Sequence, residues 1–183
     1  MRAPVLLLLA VLGIVAPRTH ADQTDPDLDP LFAALAAAGS PREAAAIESR
    51  IWTRWLESGD AQTDELLAAA IEASERGRRG LAIELLDAVV ERAPDFAEGW
   101  NQRATARFLV EDYAGALADI ERVLELEPRH FGALSGRGLI YLQMGRDYDA
   151  LLAFEAVLRI HPQARQARRY VRFLSERLGA ETV

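Results

Sequence analysis

The stretch AEGWNQRATARFLVEDYAGALADIERVLELEPRH, residues 97–130, decides the fold. Trp100 and Ala104 stand one helical turn apart, as do Ala116 and Ile120, with Val123 and Leu124 completing the second apolar stripe. Glu111 and Asp112 break the pattern between the two stripes, and Pro128 stops the second one because it cannot continue a helix. The spacing predicts two helices of about 14 residues joined by a short turn.

Working outward, the same pattern returns on both sides. Pro94, Pro128 and Pro162 are 34 residues apart, and a shift of 34 superposes three copies at 63–96, 97–130 and 131–164. Position eight of the copies holds Ala70, Ala104 and Gly138, and position twenty holds Ala82, Ala116 and Ala150. Small residues at these two places let the two helices of a copy cross closely. Larger ones fill the flanks of the crossing: Leu66, Trp100 and Leu134 at position four, and Leu86, Ile120 and Phe154 at position twenty-four. A single copy cannot bury its apolar face, so the copies must stack.

At these residues the sequence resembles the tetratricopeptide repeat family. The middle copy is nearest to that pattern, with Ala97, Glu98, Trp100, Ala104, Ala106, Asp112, Tyr113, Ala116, Val123, Leu124 and Pro128 where the family places such residues. The resemblance implies an all-α, right-handed superhelical solenoid. Residues 165–179, with Ala167, Tyr170, Val171 and Leu174 on one face and arginines elsewhere, resemble the helix that caps such arrays. Upstream, helices are expected over 28–38 and 41–57, the second opened by Ser40 as N-cap and Pro41 at its first position. Together they make a divergent N-terminal pair in 31–62, and Trp52 and Trp55 at helical spacing read as its core.

Residues 22–30 carry Asp22, Asp25, Asp27 and Asp29 with two prolines, and are expected to form a flexible acidic linker. Residues 1–21 differ again. The apolar run 5–16 is shorter than the roughly 20 residues a membrane-spanning helix needs, and Thr19 and Ala21 satisfy the small-residue rule for cleavage. A signal peptide is expected, cut after Ala21, leaving a periplasmic or secreted protein with no stable membrane span.

Composition narrows the chemistry. All 21 basic residues are arginine, against 28 Asp and Glu, and the net charge of -7 disfavours nonspecific nucleic-acid binding. The absence of Cys removes disulfides, thiolate nucleophiles and Cys-ligated metals. His130 and His161 flank the repeat prolines and read as polar turn residues, and Glu121, Glu125 and Glu127 read as a solvated face. No catalytic, cofactor or metal constellation is expected, and the chain is not expected to be an enzyme.

Binding is the function that remains. The resemblance implies a concave groove lined from set positions of the first helix of each pair. Here those positions hold Leu67, Ile71, Glu98, Asn101, Gln102, Thr105, Phe108, Leu109, Ser135, Leu139, Leu142 and Gln143. The family's clamp for a C-terminal carboxylate needs Lys, Arg and Asn, whereas the matching positions are Leu67, Ile71, Gln102, Gly132 and Gly136, so that activity is expected to be absent. The expected function is a protein–protein interaction adaptor or assembly factor of a bacterial envelope, its partner another protein or peptide segment. A self-associating subunit, with the N-terminal helices completing a neighbouring array, is the alternative. Arg103 and Arg137 stand at position seven, where an apolar residue is usual, and Asp119 is expected to pair with one of them.

Overall fold

The computed structural model describes residues 25–180, so the expected signal peptide lies outside the described residues. Among the described residues there are nine helices and no strand: α1 (Leu28–Ala37), α2 (Pro41–Trp55), α3 (Ala61–Glu75), α4 (Arg79–Arg92), α5 (Ala97–Leu109), α6 (Tyr113–Leu126), α7 (Phe131–Gln143), α8 (Asp147–Ile160) and α9 (Arg165–Ala180). Three antiparallel pairs, α3/α4, α5/α6 and α7/α8, follow one another, and α9 closes the row against α8.

Local chemistry sets the helix ends. Ser40 accepts the Glu43 N–H at 3.2 Å, Asp60 the Thr63 N–H at 3.1 Å, Asp112 the Gly115 N–H at 3.0 Å, and the His130 ring nitrogen Nδ1 the Ala133 N–H at 3.1 Å. Inside each pair the turn passes through a left-handed residue at the same repeat position: Gly77, Glu111 and Gly145, with φ of 73°, 64° and 70°. The next residue's N–H then reaches back to the last turn of the first helix, as from Arg78 to the Ala73 carbonyl at 2.8 Å. Glu111 occupies a conformation glycine holds without cost, so the middle turn is the strained copy of the three.

Within a pair the helices meet where small residues were expected. A Cβ on Gly138 would lie 2.7 Å from the Phe154 ring, and Ala82, Ala116 and Ala150 are wholly buried. Between pairs a second register operates. On α5, Gly99 faces Val89, Arg103 reaches Asp87, and Ala106 joins the core of Leu67, Leu86 and Val89, so positions three, seven and ten sit against the preceding α4. Ala133 and Ile140 on α7, and Ala167 and Leu174 on α9, repeat this contact one and two steps later.

Asp119, only 2% exposed, receives Arg103 through Nε at 3.0 Å and Nη2 at 2.7 Å. Arg107, which sequence reasoning did not propose, adds Nη1 at 3.0 Å. Arg103 also reaches Asp87 on α4 at 2.8 Å, so one guanidinium links the second helices of successive pairs. Among the described residues Arg137 makes no ion pair; it is the expected partner that Asp119 does not take.

One expectation for the N-terminal part needs correction. The acidic linker expected over 22–30 is part of the fold from Asp25 onward: α1 starts at Leu28, Asp25 and Asp27 pair with Arg54 at 3.4 and 3.0 Å, and Asp29 pairs with Arg129 at 2.6 Å. Distant arginines supply the partners that a reading of the segment alone could not. The expected divergent pair, α1/α2, does not stack on α3. It seats on the third pair, sharing one core with Phe131, Leu134, Phe154, Val157 and Leu174, and the Gln163 side chain donates to the Ala38 carbonyl at 3.1 Å. The physical reason lies on α3, whose stacking positions are Glu65, Ala69 and Glu72, all exposed. They give no apolar seat to a hairpin that must bury Leu28, Leu31, Phe32, Leu35, Ile51 and Trp55. The N-terminal aromatic helices are therefore packed on the third pair of their own chain.

Two substitution pairs test this packing by urea unfolding. Gly138→Ala forces a methyl into the Phe154 ring and is expected to cost about 1–3 kcal/mol, whereas Gly80→Ala, with nothing within 4 Å, should be neutral or stabilise by about 0.4–1 kcal/mol. Asp119→Ala removes the buried carboxylate shared by two guanidinium groups and is expected to cost about 3–5 kcal/mol. Asp87→Ala, removing an exposed partner, should cost under about 1 kcal/mol; equal losses for the two aspartates would show that the buried pair is not the one that holds the stack.

Candidate peptide-binding groove

The twelve expected groove residues separate into an interior set and an accessible set. Leu67 is buried in the core of the first pair, with Ile71 half-buried against it. Small residues occupy 68, 69 and 70, so the large side chains of α3 are needed for the core and are lost to any groove. Glu98 and Asn101, 1% and 8% exposed, are interior as well.

Their burial has a polar logic. Glu98 accepts from Asn101 Nδ2 at 3.1 Å and from Gln102 Nε2 at 2.5 Å, and its Oε2 lies 3.1 Å from Nε2 of the fully buried His130. Because His130 Nδ1 accepts the Ala133 N–H, the proton of the neutral ring is assigned to Nε2, which donates to Glu98. Trp55 stacks on that ring, centroids 4.0 Å apart at 8°, and Trp52 and Phe131 close the cluster edge-on. Unmade hydrogen bonds in such a dry place are costly, so Glu98, Asn101 and Gln102 are committed to holding α5 to the start of α7. Two buried atoms remain without a hydrogen-bond partner in this region, Trp55 Nε1 and His161 Nδ1.

On α5, Thr105 is exposed with its hydroxyl donating to the Asn101 carbonyl at 3.0 Å, Phe108 is half-buried against Tyr113 with centroids 5.9 Å apart, and Leu109 is exposed. On α7, Ser135 and Leu139 line a cavity of about 560 Å³ whose walls include Phe131, Phe154, Val157 and the start of α9 at Arg165–Ala167. Residues Pro41, Arg42, Ala45 and Glu48 of α2 bound the same cavity. Leu142 is half-buried and Gln143 exposed. The structure thus brings Ser135 and Leu139 together with side chains from α2, α8 and α9, and does not bring the α3 and α5 residues to them.

Glu48 is the ionised edge of this cavity. A hydrogen bond with His161 Nε2, at 3.4 Å, holds its carboxyl below the usual carboxylate range against the opposing effect of burial, and Trp52 Nε1–H helps from 3.4 Å. His161 is buried at the turn before α9, so both histidines read from sequence as turn residues are anchors for α2. The one legible signal is that His130 sits where an N-cap acceptor is needed, directly before Phe131. Among the described residues no group of three or more His, Asp or Glu is placed to hold a metal ion, and no helix is long and apolar enough to cross a membrane.

Residues 101–165 match a family model described as tetratricopeptide repeat. A TPR repeat-containing protein of Rhizobium etli is 39% identical over 166 residues, covering 91% of this chain and 81% of that one. Tetratricopeptide repeat protein 36 of Bos taurus is 39% identical over 103 residues, about half of either chain, at 54% and 55%. Among solved structures, the first TPR of Spaghetti (RPAP3) bound to HSP90 peptide SRMEEVD superposes with a TM-score of 0.62 at 23% identity, covering 66% of this chain and 96% of that one. MamA superposes with a TM-score of 0.61 at 24% identity, covering 71% and 76%. At these identities the solved structures speak for the fold alone.

Proposed function

The chain belongs to the tetratricopeptide repeat family, and from that premise we propose that it is a non-enzymatic adaptor or assembly factor of a bacterial envelope, holding a segment of another protein in the cavity between α7 and α9. The observation that carries this reading is the composition of the cavity walls. Leu139 offers an apolar wall backed by the buried Phe131, Phe154 and Val157, while Ser135, Arg42, Glu48 and Arg165 offer a polar rim. An apolar wall with a few convergent polar groups is the usual make-up of a site for a side chain presented on an extended backbone. The bacterial relative and the leader-like residues 1–21 support the envelope part of the proposal.

Peptides selected from a random library on the purified chain test the site. Leu139→Ala is expected to weaken the selected peptides at least about tenfold, equivalent to about 1.4 kcal/mol, while Leu109→Ala, on the exposed end of α5, leaves them unchanged. Affinity that survives Leu139→Ala with the fold intact by circular dichroism, or that responds to Leu109→Ala instead, moves the site out of this cavity. Export has its own test. The intact mass of protein recovered from the envelope is expected to correspond to a chain beginning at Asp22, and retention of residues 1–21 would replace the exported, untethered reading with a membrane-tethered one.

A further inference from the structure

The array ends on two surfaces of opposite charge. At one end, the positions that would receive a preceding helix are Glu65, Ala69 and Glu72 of α3, where α5 has Gly99, Arg103 and Ala106 packed against α4. The hairpin that precedes α3 in sequence seats on the third pair instead, and this face stays open. Helix α3 carries four acidic residues and no basic one.

At the other end, α9 turns Ala167 and Leu174 toward α8, as its register requires. The positions at which α5 and α7 meet their own second helix, four and eight, are Arg168 and Arg172 here, and both are exposed. Across its length α9 has five arginines and one glutamate. Arg168 makes only a 3.2 Å hydrogen bond to Gln163, and Glu72 only an exposed i,i+4 pair with Arg76, so neither face is neutralised from within. The α3 face belongs to the register toward a preceding pair and the α9 face to the register toward a helix's own second helix, and each lacks the helix that would cover it.

We propose that these faces meet between copies of this chain, the α9 surface of one copy docking on the α3 surface of the next. The contact is heterologous: the two patches differ, and every copy keeps one of each free for a further copy, so association builds a row instead of closing as a twofold dimer. Small residues, Ala69 on one side and Ser175 on the other, let the helices approach, while the facing Glu and Arg side chains set the register. Exposed ion pairs contribute little individually, so the row is weak, concentration-dependent and dissolved by salt. It does not depend on what the cavity beside Leu139 binds.

Sedimentation at low salt of the chain beginning at Asp22 tests the proposal. The weight-average mass is expected to rise with concentration to at least twice that of the monomer and to return to the monomer value at high salt. Arg168→Glu with Arg172→Glu should abolish the rise, and so should Glu65→Arg with Glu72→Arg; all four positions are exposed, and helicity by circular dichroism is expected to be unchanged. Mixing the two reversed variants should restore association, because each then offers the complement of the other. A monomer under all conditions overturns the proposal. So does association that survives either reversal, or reversed variants that stay apart when mixed. If the arginine reversal leaves self-association untouched but abolishes binding to vesicles containing anionic lipid, α9 is a membrane-facing surface and the inter-copy contact is wrong.

Discussion

Each helix pair in this chain is apolar on a face it cannot cover alone, and the close crossing at Ala82, Ala116, Gly138 and Ala150 is what lets the pairs exist in a stackable form. With a Cβ on Gly138 already 2.7 Å from Phe154, the axes have no slack. Once the crossing distance is set, the side chains at neighbouring positions fall into two registers, one toward the partner helix and one toward the preceding pair. Core, ion pairs and open ends all follow from which residue occupies which register. Asp119 is buried because its position lies where two pairs meet, and it is tolerated there because Arg103 and Arg107 supply three nitrogen contacts within 3.0 Å.

An array must also deal with its ends. The C-terminal one is met by α9, which turns Ala167 and Leu174 inward. The other is left with glutamates, and the hairpin that precedes it spends its tryptophans on the turn between the second and third pairs. There the Glu98–His130–Ala133 chain of hydrogen bonds gives α7 its cap and Trp55 its seat. Specific recognition and structural support compete for the same helix face. On α5 support takes Glu98 and Asn101, and on α7 the surface around Leu139 is left accessible.

The repeat is legible in the sequence because its signals are local. A small residue at position eight, another at position twenty and a proline near the end all act within one stretch of 34 residues, and the Asp119 to Arg103 pair follows from the register of adjacent helices. The site is less legible. Groove positions transferred from the family assume that nothing else covers them, and at Glu98 and Asn101 a buried polar network does. Nor does anything near Trp55 or His130 announce their contact, since the stacked rings come from residues 75 positions apart in the chain. Leu67 fails for a different reason: with alanines around it, α3 has too few large side chains to leave that one outside the core.

Seating the hairpin on the third pair also changes how the molecule comes apart. Contacts in a simple row run only between neighbours, so such a chain frays from its ends and its stability grows by increments. Here Asp29 is tied to Arg129, Glu48 to His161 and Ala38 to Gln163 across 100, 113 and 125 residues. These ties raise the contact order above that of a bare repeat array. They also slow the closing step of folding, because the first helices made must wait for the last pair. In exchange, the first two helices and the third pair share one core, so neither can loosen without exposing the other, and unfolding is drawn toward a single cooperative event.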